Sequence, residues 1–205
     1  MASFNLSGNW VLDKARSTNL DAVLKLQGVG WVTRKAIGAS KMTLKTTQSS
    51  ETHGSTGEAA EWIMFEAGLA SGLKGVPERR PLTWTEFKHN DTIFGPVFIR
   101  SQYVSGERTS DGRVRPLVEL QTKNIGSGIL HGLTEAIVID QEDEAPGTTV
   151  EKAFIHDFVR SVDFGWTAEQ IWAVEIVGEE KLLTRRAVVV KGMSIESVCA
   201  RYKRE

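Results

Sequence analysis

The sequence predicts an all-β chain, folded as an antiparallel sandwich or closed barrel, with one short helical hairpin near its start. Three observations lead there. Apolar and polar residues alternate through most of the chain, short β-rich runs recur at regular spacing between Gly, Asn, Asp or Glu clusters, and only one region has helical periodicity. The length of 205 residues suits one ordinary domain with a sizeable core and no need of disulfides or metal.

Taken in order, Phe4, Leu6, Gly8 and Trp10 alternate with Asn5, Ser7 and Asn9, the pattern of a half-buried strand. Asn19 stands where a helix N-cap belongs, Asp21 falls in the first turn, and Leu20, Val23 and Leu24 share one helical face. Gly28-Val29-Gly30 interrupts, and a second short turn runs from Trp31 to Ile37 with Gly38 as its stop. Strands are then expected at about 40–48, 59–67, 80–88, 95–104, 149–160, 168–177, 181–190 and 194–203. Turns are expected at His89-Asn90-Asp91, Gly178-Glu179-Glu180 and Lys191-Gly192. The stretch 105–147 breaks the rhythm with repeated glycines and an acidic run from Asp140 to Glu144. It reads as a long connection inserted in a single domain spanning 1–205, with strands of its own near 114–122 and 133–139. Its acidic run is either a solvated loop tip or a functional patch.

Composition narrows the function. A net charge of −1 argues against nucleic acid or an anionic membrane surface as the partner, since both favour a basic excess. The lone Cys199 excludes an internal disulfide framework and a cysteine-based zinc site. No apolar run is long enough to insert in a membrane, and Met-Ala-Ser-Phe-Asn-Leu has no basic start before an apolar stretch, so a cytoplasmic location is expected. There is no phosphate-cradling glycine loop, no G-x-S-x-G elbow and no H-E-x-x-H. Of the four histidines, His53 and His89 fall in polar, turn-like stretches and are expected at the surface, and His131 lies in the connection. His156, within Phe154-Ile155-His156-Asp157-Phe158, is either a satisfied half-buried histidine or a pocket acid–base. The chain is therefore expected to need no metal, nucleotide or other cofactor.

Several segments resemble a known family. Leu6-Ser-Gly-Asn-Trp10, Asn19-Leu-Asp-Ala-Val-Leu and Gly28-Val-Gly-Trp-Val-Thr-Arg-Lys-Ala36 look like the opening of the intracellular fatty-acid-binding proteins, within the calycin superfamily that includes the lipocalins. The C-terminal strand ending Ala200-Arg-Tyr-Lys-Arg204 is similar too. The resemblance covers about a third of the chain, and implies an up-and-down barrel of about ten strands enclosing a ligand cavity under a helix-turn-helix lid. Closure would also remove exposed strand edges, in agreement with the alternation. The family's carboxylate trap does not carry over. Aligned on Tyr202, the last-strand arginine position holds Ala200, with Arg201 one residue off, and the second arginine position falls on Glu175.

With a hairpin turn at 180–181, Arg186 would face Glu175, and an inward Glu175–Arg186 pair near Tyr202 would form an acid–base end-wall or simply satisfy itself. With the turn one residue earlier, Trp172 and Ile176 face inward instead. Among the six tryptophans, Trp10 is expected in the core and Trp31 on the lid, either packed down as a plug or touching the ligand. Trp62 and Trp84 are expected either in core packing or in the cavity wall, and the wall would also take Trp172, His156 and at most one of Arg100 or Tyr103, which have opposite parity. Trp166 and Trp172 flank Thr167-Ala-Glu-Gln170, and either is open to being an outer aromatic under the inserted connection.

Two functions remain open. Phe94-Gly-Pro-Val97 and Thr167-Ala-Glu-Gln-Ile-Trp172 resemble small lipocalin-like proteins of filamentous fungi, some linked to secondary-metabolite pathways. That resemblance implies a cofactor-free cyclase acting on a polyketide or terpenoid, of the hetero-Diels–Alderase (pericyclase) kind, with Glu175, Arg186 and Tyr202 as its catalytic groups. The alternative is a non-catalytic carrier of a hydrophobic small molecule.

Overall fold

The computed structural model describes residues 5–52, 59–70, 72, 74–140 and 145–205. Alternation becomes strands as expected: β1 (Gly8–Leu12), β2 (Met42–Thr52), β3 (Ala59–Leu69), β4 (Glu78–Pro81), β5 (Phe87–Asp91) and β6 (Gly95–Arg108). After β7 (Val114–Pro116) come β8 (Thr149–Ser161), β9 (Thr167–Val177), β10 (Glu180–Lys191) and β11 (Ser194–Arg204). All eleven join one antiparallel sheet in the order β4-β3-β2-β1-β11-β10-β9-β8-β6-β5, with β7 hung on β6. The first strand thus pairs with the last. The other end is drawn together by a bridge from Thr83 to Gln102 and by Trp84 N–H donating to the Ser101 carbonyl. The sheet is the expected up-and-down antiparallel barrel.

The run expected as one strand at 80–88 is two. Trp84 takes a left-handed backbone (φ 60°) between β4 and β5, and no ladder joins these two strands among the described residues. The β9–β10 turn falls at Gly178-Glu179, where Gly178 has φ 65°, a conformation that glycine adopts without a Cβ penalty.

The helical hairpin is α1 (Leu20–Leu26) and α2 (Trp31–Ala39). Asn19 does not cap α1. It is left-handed (φ 59°), and its amide donates to Glu196 Oε2 at 2.9 Å and to the Ser197 carbonyl at 2.8 Å, tying the hairpin to β11. Arg34 holds the two helices together, donating to Asp21 at 3.1 Å and to the Val29 carbonyl at 2.8 Å. Among the described residues no helix is long and apolar enough to cross a membrane.

The connection between β7 and β8 contains α3 (Ser127–Leu133) rather than a strand beginning at 133. Ile129 and Leu133, four residues apart, put apolar side chains on one helical face, with Ile125 just ahead of the helix packed against the same cluster. That face packs with Val114, Ile137 and Ile139 against Phe154, Ile171, Ala173 and Val188 on the outer face of the barrel. The molecule therefore has an interior core around Leu6, Trp10, Ile63, Phe65 and Leu183, and an outer core beneath the connection. Each buried Val, Leu or Ile is worth roughly 1.5–3 kcal/mol, so the connection is part of the fold's stability. It also buries both faces of β8, β9 and β10, which erases the polar half of their alternation.

A lidded cavity with an unpaired arginine

Beneath α1 the barrel encloses a cavity of about 230 Å³. Its walls are mostly apolar: Leu20, Val23 and Leu24 from the lid, Phe65, Ile99 and Val159 from the sheet, and Trp166. Strand parity decides which groups reach it. On β9, Ala168, Gln170 and Trp172 face inward, on β10 Arg185, Ala187 and Val189, and on β11 Val198 and Tyr202.

This register corrects the expected end-wall. Glu175 lies opposite Leu182, and Arg186 opposite Ile171, because the turn is at 178–179 rather than 180–181. Both side chains are on the outer face, so they do not meet Tyr202 in the cavity. They still form an ion pair there. Arg186 Nη2 donates to Glu175 at 2.7 Å, joined by Arg201 Nε at 3.0 Å and the Thr184 hydroxyl at 2.8 Å, with Glu135 of the connection 3.7 Å from Arg186. Burial pushes the Glu175 carboxyl up, but the Arg186 charge and these hydrogen bonds outweigh it and hold it below its ordinary value. The expected acid–base constellation is therefore not assembled.

Other expected wall residues are redistributed. Trp62 faces outward, with the Arg79 guanidinium 4.1 Å from its ring, and Trp84 lies outside, stacked on His156 at 4.7 Å. His156 is fully buried on the outer face, where Nε2 lies 2.7 Å from Glu169. Glu169 also accepts from the Gln121 and Thr122 backbone at 2.7 and 2.6 Å, so this pair clamps the connection rather than serving the cavity. Arg100 points outward near Glu86, and Trp31 is 64 % exposed on the lid. Tyr103 turns inward, but at another end of the barrel. Its hydroxyl accepts from Gln48 at 2.6 Å, and it borders a separate polar depression with Asn5, Ser50 and Glu61. Trp172 is in the wall, and Trp166 joins it, so neither is an outer aromatic. His89 is buried rather than at the surface, His131 lies on α3, and His53 and residues 141–144 of the acidic run fall outside the described residues.

The cavity's polar groups are ones that sequence parity did not single out. Trp172 organises them. Its Nε1 donates to Asp157 at 2.8 Å, Phe65 packs 4.9 Å from its ring, and the Arg185 guanidinium lies 5.5 Å over it. Asp157 also accepts from the Ser101 hydroxyl at 2.6 Å and from Arg80. Arg80 in turn donates to Glu78. Burial alone would lower the Arg80 pKa, but the charges of Asp157 and Glu78 raise it above its ordinary value, so it stays charged.

Arg185 is the contrast. It has no carboxylate within ion-pair distance among the described residues, and its buried Nε has no hydrogen-bond partner. It sits opposite Ala200 on β11, and Tyr202 of the same strand lines the cavity with it. The positive charge expected to be missing at Ala200 is supplied from the neighbouring strand. Among the described residues no group of three His, Cys, Asp or Glu side chains is placed to hold a metal ion.

No protein-family model matches the chain, and no curated protein sequence matches it closely. Solved structures do resemble it along nearly its whole length. The fatty-acid-binding protein isolated from Manduca sexta is 15 % identical, with a TM-score of 0.46, over 98 % of this chain and 99 % of that one. The wild-type fluorescent protein UnaG is 12 % identical (TM-score 0.49; 98 % and 97 % covered), and human cRBP IV is 11 % identical (TM-score 0.42; 98 % of each).

Proposed function

We propose that this chain binds and carries a hydrophobic small molecule with an acidic group, held inside the barrel. The observation that supports this reading is Arg185, a cavity-lining cation with no carboxylate beside it, under walls that are otherwise apolar. A half-buried guanidinium whose buried Nε has no partner is unfavourable in the empty protein and is satisfied by a ligand carboxylate. The Tyr202 hydroxyl can donate a second hydrogen bond, and the lid residues Leu20, Val23 and Leu24 cover an apolar body. The carrier reading is favoured over cyclisation because Glu175 and Arg186 lie outside the cavity.

Titration with palmitate and with its methyl ester tests the proposal through the fluorescence of the wall tryptophans Trp166 and Trp172. The expected result is a saturable change with palmitate at markedly lower concentration than with the ester. No saturable change with palmitate, or equal response to both, overturns it.

A further inference from the structure

A second polar pole lies where β4 and β5 fail to pair. Glu78 lines the cavity, and His89 lies on the inward face of β5 with Asp91, which also lines it. His89 is 7 % exposed, and its buried Nε2 has no hydrogen-bond partner. Glu78 Oε2 is 3.7 Å away, too far for a direct hydrogen bond. The remaining Glu78 oxygen is held by Arg80, which is itself held by Asp157. This rigid chain leads back to Trp172 and so to Arg185 on the other side of the site.

We infer that the cavity ligand carries, besides its acid, a neutral hydroxyl that bridges His89 and Glu78. The inference rests on the carrier reading above. A hydroxyl both donates and accepts, so it can accept from His89 Nε2–H while donating to the Glu78 carboxylate, which closes the 3.7 Å separation through one oxygen. The alternatives fit less well. A second carboxylate would meet Glu78 and Asp157, whose two negative charges exceed the single positive charge of Arg80. A plain alkyl end would leave the buried His89 nitrogen unsatisfied. The ligand class is thus a hydrophobic hydroxy acid, with its acid at Arg185 and Tyr202 and its hydroxyl at the β4–β5 gap.

The test compares palmitate with ω-hydroxypalmitate, and with shorter pairs of the same kind, by displacement of a hydrophobic fluorophore from the wild-type protein, Glu78→Gln and His89→Phe. For at least one chain length the hydroxy acid is expected to bind about tenfold more tightly than its parent acid, the worth of one hydrogen-bonded pair. That ratio is expected to fall to about one in both variants. His89→Gln, which keeps a donor at that position, is expected to retain part of the preference and replaces His89→Phe if the latter melts below the assay temperature. Parent acids that bind with no preference at any length, or a preference that survives these substitutions, overturn the hydroxyl subsite alone. Failure of every acid to displace the fluorophore overturns the carrier reading itself.

Discussion

Replacing Arg185 with methionine should move stability and binding in opposite directions. In the ligand-free protein the buried Nε of Arg185 is without a hydrogen bond, and an unsatisfied buried polar group costs about 1–3 kcal/mol. The guanidinium recovers part of this by lying 5.5 Å over the Trp172 ring, a contact worth about 0.5–1 kcal/mol. Methionine keeps the apolar packing and removes the unsatisfied group, so a net gain of about 1 kcal/mol is expected. In a chain of this size that raises Tm by about 2–4 °C. Binding goes the other way. A charge-assisted hydrogen bond contributes about 1.5–3 kcal/mol, so affinity for a fatty acid should fall roughly 10- to 100-fold. The matched primary alcohol, which brings no charge, should bind both proteins about equally. Thermal melting of the ligand-free proteins and fluorophore displacement by the acid and the alcohol provide the two readouts. A variant that melts lower and binds the acid as well as the wild type does would refute the argument, because Arg185 would then be a structural residue.

Two further expectations concern the outer face and the sheet. Glu169→Ala removes the acceptor for His156 and for the Gln121 and Thr122 backbone, and should destabilise the protein by about 3–5 kcal/mol, with faster hydrogen exchange in the connection near residues 117–125. Burial pushes the Glu169 carboxyl up, but those hydrogen bonds outweigh it and hold its folded pKa below the ordinary 4.5. Its contribution to stability is therefore complete above pH 4.5 and is lost as the pH falls through the folded value, so the variant's acid-denaturation profile should be flatter there. Gly106→Ala should destabilise by about 1–3 kcal/mol in a chemical melt. A Cβ there would stand 2.3 Å from Val114 Cγ1 and 2.9 Å from Phe154, at the bulge where β6 shifts register against β8.

Much of the barrel was legible because local chemistry dictates it. Gly178 and Gly192 supply left-handed turns, Gly28 breaks the lid hairpin, and alternation in β1 and β6 marks one wet and one dry face. The site was less legible. Along β9 and β10 the side chains from Ala168 to Val189 read as apolar or charged on both faces, because the connection covers the outside as fully as the barrel covers the inside. With no wet face to orient the strands, Arg185 and Arg186 are neighbours that sequence cannot tell apart. The alignment on Tyr202 then carried the whole assignment, and the pairing of Leu183 with Tyr202 and of Leu182 with Glu175 puts Arg185 inward with Tyr202 and Arg186 outward with Glu175. His89 was misread for a related reason. Its polar neighbours suggested a turn, but pairing with Val97 on β6 makes it part of a strand, facing the gap beside Glu78.

By itself, then, the sequence determined the class of fold, the lid, the near-neutral charge and the presence of an apolar interior, since each depends on residue type and short-range periodicity. Tertiary structure alone decided which charges are inside. Glu78 and Arg80 on β4 and Asp157 on β8 form one ion-paired group only when the barrel brings the two strands together, and Arg185 stands outside any ion pair while Glu175 is taken up by Arg186 and Arg201 on the outer face. Those are long-range pairings set by register, and a one-residue difference along a strand reverses the face on which a charge ends.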